Sequence, residues 1–149
     1  MFDGFEMGLF PLIGKPALQD LLHRPDGFTD AQFNIMQGQW FTAIIAVFLV
    51  GAATGGVLFG WLGDKIGRKN ALLWTLLLLA IGSLLSAAAW DFASLLTFRI
   101  ITGIGVGGEW AMAGTYVAEA WPEDRRKMGA GYLQTGYYAG FFLAAALNF

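Results

Sequence analysis

The chain has 149 residues, 56% hydrophobic and 13% charged, with a formal net charge of -2 and a mean hydropathy of +0.56. Soluble domains carry about 25% charged residues, so this composition excludes an ordinary soluble globule and favours a membrane protein. With no cysteine and one histidine, His23, there is no disulfide framework, thiolate chemistry or histidine metal cluster, and no basic tract points to nucleic acid.

The opening residues carry Asp3 and Glu6 where a signal peptide would carry basic residues. Met1 to Leu22 is partly apolar but holds Lys15, Pro11 and Pro16. It reads as an incomplete first transmembrane helix, over about residues 1–22. A surface amphipathic helix is the alternative, weakened by two prolines that break a continuous apolar face. Asp20 to Asn34 reads as a loop carrying Arg24 and three acids.

Spanning a bilayer takes about 20 predominantly apolar residues. Trp40 to Gly63 and Ala71 to Trp90 are uncharged runs of that kind. Phe92 to Ala120 is interrupted only by Arg99, Glu109 and, near its end, Glu119, and Met128 to Phe149 is uncharged. These predict the second to fifth helices at about 40–63, 71–90, 92–120 and 128–149, the last cut at its end. Strand alternation is absent, so the expected fold is all-α: a polytopic transmembrane helix bundle, with backbone groups satisfied inside each helix.

Six of the nine Lys and Arg residues lie in two short loops, 64–70 and 123–128. The positive-inside rule places both in the cytoplasm. Trp40 and Trp90 then mark the outer boundary, and Trp61 and Trp121 the inner one.

The loop between helices two and three reads Gly60-Trp-Leu-Gly63-Asp64-Lys65-Ile-Gly67-Arg68-Lys69. Gly60 would permit close helix contact. Asp64, at a helix end, is placed to accept hydrogen bonds from a neighbouring helix N-terminus. Gly67 would free the backbone of a tight turn, and Arg68 and Lys69 would anchor the loop. This string resembles the G-x-L-x-D-[RK]-x-G-[RK]-[RK] signature of the major facilitator superfamily, at its usual place. The resemblance implies the first part of a twelve-helix secondary transporter, with the loop as a conformational latch contacting the other half.

Helix four carries Arg99-x-x-x-Gly103-x-Gly105-x-Gly107, which resembles the R-x-x-x-G-x-G-x-G pattern of the superfamily. Arg99, Gly103, Gly107, Ala111 and Thr115 recur every fourth residue as one small-residue stripe. An arginine there must face protein or water and needs an anionic partner. Asp3 and Glu6, at i and i+3, share a helix face. Asp3-Gly4-Phe5-Glu6 resembles the D-G-F-D stretch of organic-anion:proton and sialic-acid-type symporters, with Glu6 one methylene longer. That resemblance assigns Glu6, paired with Arg99, the coupling proton, with Asp3 the secondary acid. The plainer alternative leaves both acids at a frayed start.

Glu109 lies about 80° around the helix from Arg99. It is either a functional carboxylate or a structural hydrogen-bonding group. Glu119-x-x-Pro122-x-x-x-Arg126 resembles the E-x-x-P-x-x-x-R stretch of sugar and metabolite porters, which implies a cytoplasmic network of Glu119, Arg126 and Arg68. Gly51/Gly55, Gly56/Gly60, Gly103/Gly107 and Gly136/Gly140 are GxxxG pairs of the packing type. Gln134, Tyr137 and Tyr138 in helix five line a cavity or bond between helices. Helix five lacks the prolines typical of drug:proton antiporters.

Together these readings predict a secondary active transporter, in part: a proton-coupled symporter of a small organic acid or sugar in a bacterial inner membrane. No enzyme activity, catalytic residue, metal or cofactor is expected beyond the coupling proton. The expected partners are the bilayer, the small-molecule substrate and the missing second half of the transporter. The rival reading is a non-transporting sensor or binding subunit on the same scaffold.

Overall fold

The computed structural model describes residues 2–22 and 27–147. His23 and Arg24 of the first loop, and Asn148 and Phe149, lie outside the described residues. The described chain is helical throughout: α1 (Phe2–Leu21), α2 (Asp30–Ile66), α3 (Arg68–Ala87), α4 (Phe92–Ala120), a 3-10 turn (Glu123–Arg125) and α5 (Arg126–Leu147). Helix α4 is the centre, packed along its length by α2 and α3. Helix α1 packs on α5 and reaches α2 and α4 at fewer points.

The apolar exposure is outward. Val50, Val57, Leu84, Phe142 and Leu147 are all exposed, whereas Asp3, Glu6, Gln37 and Arg99 are buried. A soluble protein inverts that arrangement. By length and composition alone, α2 and α3 are apolar enough to cross a membrane. Helices α1 and α4 carry charges within their apolar stretches, and α5 carries glycines, Gln134 and Thr135.

Helix α2 differs most from its predicted bounds. It starts at Asp30, not near Trp40, because Thr29 and Gln32 form a capping box. Thr29 N–H donates to Gln32 Oε1 at 3.0 Å, and Gln32 N–H donates to Thr29 Oγ1 at 3.4 Å. Residues 30–34, expected in the loop, are therefore helical. At about 1.5 Å per residue a helix of 37 residues far exceeds a hydrocarbon core of about 30 Å. The uncharged run marks what lipid can cover, not the length of the helix. Helix α1 continues through Pro11 and Pro16, as membrane helices do where neighbours take up the freed backbone groups.

Helix α4 begins at an Asp91 cap. Ser94 N–H donates to Asp91 Oδ1 at 2.7 Å, and Asp91 N–H donates to Ser94 Oγ at 3.2 Å. The Ser94 bonds hold the Asp91 carboxyl below its usual range. A lowered folded value means the contribution is present above the unfolded value and lost as pH falls through the folded one. We expect Asp91→Ala to lower the melting temperature at neutral pH. The gap should close below about pH 4, the ordinary carboxylate value. A pH-independent gap in thermal melts would remove the charge from this account.

Two buried clusters join the helices. Leu18, Ile44 and Leu95 meet where α1, α2 and α4 converge, flanked by Phe10 and Phe41, whose rings stack at 5.4 Å. Phe48, Leu79 and Val106 join α2, α3 and α4, with Met7 of α1 against them. The small-residue stripe of α4 lies against α2. A methyl group at Gly103 would overlap the Phe48 carbonyl, and one at Gly107 that of Ala52. Gly136 is half-buried and Gly140 buried in α5.

Candidate functional site

Near the start of α1, two acids point at α4. Glu6 Oε1 accepts from Arg99 Nη1 at 2.7 Å, with both side chains about nine-tenths buried (11% and 8% exposed). Ser83 of α3 donates to Glu6 Oε2 at 3.1 Å. The Arg99 guanidinium also lies 3.8 Å from the centroid of the Phe10 ring. Its buried Nε has no partner, so Arg99 keeps a donor unused.

The pair separates two cavities. One, of about 570 Å³, runs between α1 and α3 and has an apolar wall apart from Glu6, Ser83, Ser86 and Arg99. The other, of about 120 Å³, lies towards α2. The larger is of the size small-molecule sites have.

Asp3 takes a different partner: Trp110 Nε1 of α4 donates to Asp3 Oδ2. Glu109 faces Asp3, Gln134 and Tyr137 across a third, small cavity. Its Oε2 is buried and makes no hydrogen bond. The structural hydrogen bond entertained for Glu109 is thus absent among the described residues. Gln134 is exposed on α5 and lines the same cavity.

The signature loop sits at the other end of the bundle. Gly67 has φ +87° and ψ 145°, a conformation essentially confined to glycine. It ends α2 and begins α3 with no intervening residue. Gly67→Ala should therefore cost about 1–3 kcal/mol, read as a lowered unfolding midpoint in detergent. An unchanged midpoint would show that the turn relaxes freely.

Arg68 pairs with Asp64 at 2.7 Å and Glu119 at 3.2 Å. Asp64 is thus held by a side chain rather than by helix N-terminal amides. Both carboxylates are mostly exposed, and exposed pairs stabilise by under about 1 kcal/mol each. Lys65 lies over the Trp61 ring at 3.8 Å. Lys69 is exposed.

Two expectations for this end are corrected. Gly60 makes no close helix contact among the described residues, since a methyl group there would meet open space. Gly63 holds that role, against Met112 and Arg68. Arg126 makes no ion pair among the described residues and stands outside the Arg68–Glu119 network. It opens α5, after the 3-10 turn, and is exposed there.

Three site residues were missed from the sequence. Trp110 carried a usable signal: a tryptophan in mid-span needs a partner for its N–H, and acids were available on α1. Ser83 and Phe10 carried none, since membrane helices are rich in both types.

A family model described as "sugar (and other) transporter" matches residues 13–149. The sialic acid transporter NanX of Escherichia coli is 32% identical over 147 residues, 99% of this chain and 33% of that protein. A Haemophilus influenzae protein named for metabolite transport is 43% identical over 106 residues, 71% of this chain and 26% of that protein. A Staphylococcus aureus protein named for proline and betaine transport is 36% identical over 122 residues, 76% of this chain and 26% of that protein. The chain spans about a quarter to a third of the length of these curated relatives. No solved structure matches significantly. A signature loop between α2 and α3, a buried cation on α4 and outward-facing apolar side chains belong to integral membrane transporters rather than to enzymes: this chain is a member of the sugar (and other) transporter family of the major facilitator superfamily.

Proposed function

We propose that the chain is part of a proton-coupled symporter for a small organic acid or sugar, working by alternating access, with Glu6 as the proton-carrying group. The single observation behind this reading is the buried Glu6–Arg99 pair, in which Arg99 retains an unused donor. With Glu6 ionised, Arg99 is neutralised within the protein. Protonation of Glu6 removes the anion, and a buried arginine then requires another. A substrate carboxylate supplies it, and the guanidinium fork suits that geometry. Proton and anionic substrate would thus bind together, which is symport. The likeness to a sialic acid transporter over 99% of the chain supports the anionic class.

In this reading a second half of the protein completes the substrate site, as two halves do in transporters of this type. The basic segments 64–70 and 123–128, at the helix ends around Gly67 and the 3-10 turn, face the cytoplasm of a bacterial inner membrane by their positive charge, and the Asp64–Arg68–Glu119 cluster latches one conformational state. The test is uptake of a panel of small organic acids and sugars by the full-length transporter in liposomes with an internal pH dye. Symport predicts internal acidification with uptake, and loss of accumulation on adding a protonophore. Protonophore-insensitive accumulation would overturn it.

A further inference from the structure

The turn at Gly67 carries charge and apolar surface that the Asp64–Arg68–Glu119 cluster does not use. Beside it lies an open groove of about 390 Å³, walled by Ile66 at the end of α2 and by Asn70, Leu73, Trp74 and Leu77 of α3. The four α3 residues follow the i, i+3, i+4, i+7 spacing of one helix face. All five are exposed. Asn70 Nδ2 donates to the Ile66 carbonyl at 3.0 Å, which ties the two walls together.

Lys69 precedes Leu73 by one turn on that face, and Lys65 adjoins Ile66. Arg68 is held by Asp64 and Glu119, whereas neither lysine makes an ion pair among the described residues. Three cations, Lys65, Arg68 and Lys69, thus stand against two acids, a surplus of one positive charge. Trp61 and Trp74 lie six and seven residues from Gly67, about 10 Å along their helices, at one level as in an interfacial aromatic belt. Trp74 is 57% exposed, and its N–H has no hydrogen bond among the described residues. An indole N–H away from bulk water needs an acceptor.

We infer that this groove binds one anionic phospholipid from the leaflet that faces the turn. The single charge of a phosphodiester matches the surplus at the turn, and basic sites at helix ends suit anionic head groups. Lys65 and Lys69 hold the phosphate, a lipid ester carbonyl accepts from the Trp74 N–H, and an acyl chain lies along Leu73 and Leu77. A free phosphate would satisfy the lysines alone and leave the tryptophan and leucines uncovered. The site does not depend on the Glu6–Arg99 pair, on proton coupling or on which side of the membrane the turn faces, so it and the proposed function fail separately.

The experiment is native mass spectrometry of the full-length transporter, released from detergent containing equimolar phosphatidylglycerol and phosphatidylcholine with the same acyl chains. Phosphatidylglycerol is expected to be retained in preference to phosphatidylcholine. Lys65→Gln and Lys69→Gln should each lower that preference about five-fold, from about 1 kcal/mol per lysine. Lys65→Arg and Lys69→Arg keep the charge and should keep the preference. Trp74→Ala should lower retention of phosphatidylglycerol, and Lys127→Gln, in the other basic segment, should not. These side chains are all exposed, and the melting temperature of each variant shows that it is folded. Equal retention of the two lipids overturns the site. So does an equal loss in Lys127→Gln, which is general attraction to positive charge, or unchanged retention in Trp74→Ala. Displacement of the lipid by soluble glycerol 3-phosphate would also overturn it, by making the turn a site for free phosphate.

Discussion

Arg99→Ala in the full-length transporter is expected to abolish coupled uptake, with a fall of at least about a hundred-fold. The substitution leaves Glu6 buried beside Ser83 with no cation near it. Removing one partner of a buried ion pair costs about 3–5 kcal/mol, which at about 1.4 kcal/mol per tenfold is about two to three and a half orders of magnitude. Arg99→Lys keeps the charge but loses both the fork and the broad face over Phe10, so it should fall between. Initial rates in liposomes, normalised to inserted protein, provide the check. Wild-type uptake by Arg99→Ala would remove the pair from the mechanism.

The second large effect lies in glycine packing. Gly55, Gly103 and Gly107 sit where a methyl group would overlap the backbone of the facing helix, at Ile104, Phe48 and Ala52. Backbone cannot move aside as a flexible side chain can. Gly107→Ala should destabilise the α2–α4 contact by about 2–3 kcal/mol, at the upper end for overpacking. Gly60→Ala is the control: a methyl group there meets open space, and alanine is favoured over glycine in a helix by up to about 1 kcal/mol. Unfolding in mixed micelles should place the two on opposite sides of wild type. Coincident curves would contradict the close approach of α2 and α4.

This contrast also shows where the sequence was legible. Lipid makes every charge conspicuous, so Glu6 and Arg99 were identifiable as partners although they are 93 residues apart. The same reasoning drew attention to Glu109. Uncharged runs located the helices. What did not come through depends on how each helix is rotated against its neighbours. GxxxG spacing gave Gly60 and Gly103 the same pattern, yet one faces open space and the other faces Phe48. Gly63, one turn-fraction away, takes the contact instead. Arg126 matched a family string, but it follows the 3-10 turn at Glu123–Arg125 and makes no ion pair with Glu119. The early start of α2 was hidden because a helix outside the bilayer needs no apolar residues.

The central claim is that Glu6 carries the coupling proton, and Glu6→Gln tests it most directly. Glutamine keeps the size and hydrogen-bonding capacity of a protonated carboxyl but cannot release a proton. The measurement compares substrate counterflow with uphill uptake for this variant of the full-length transporter in liposomes. The account predicts that counterflow persists while proton-driven accumulation is lost. Accumulation by Glu6→Gln at the wild-type level would contradict it and place the coupling proton on another group.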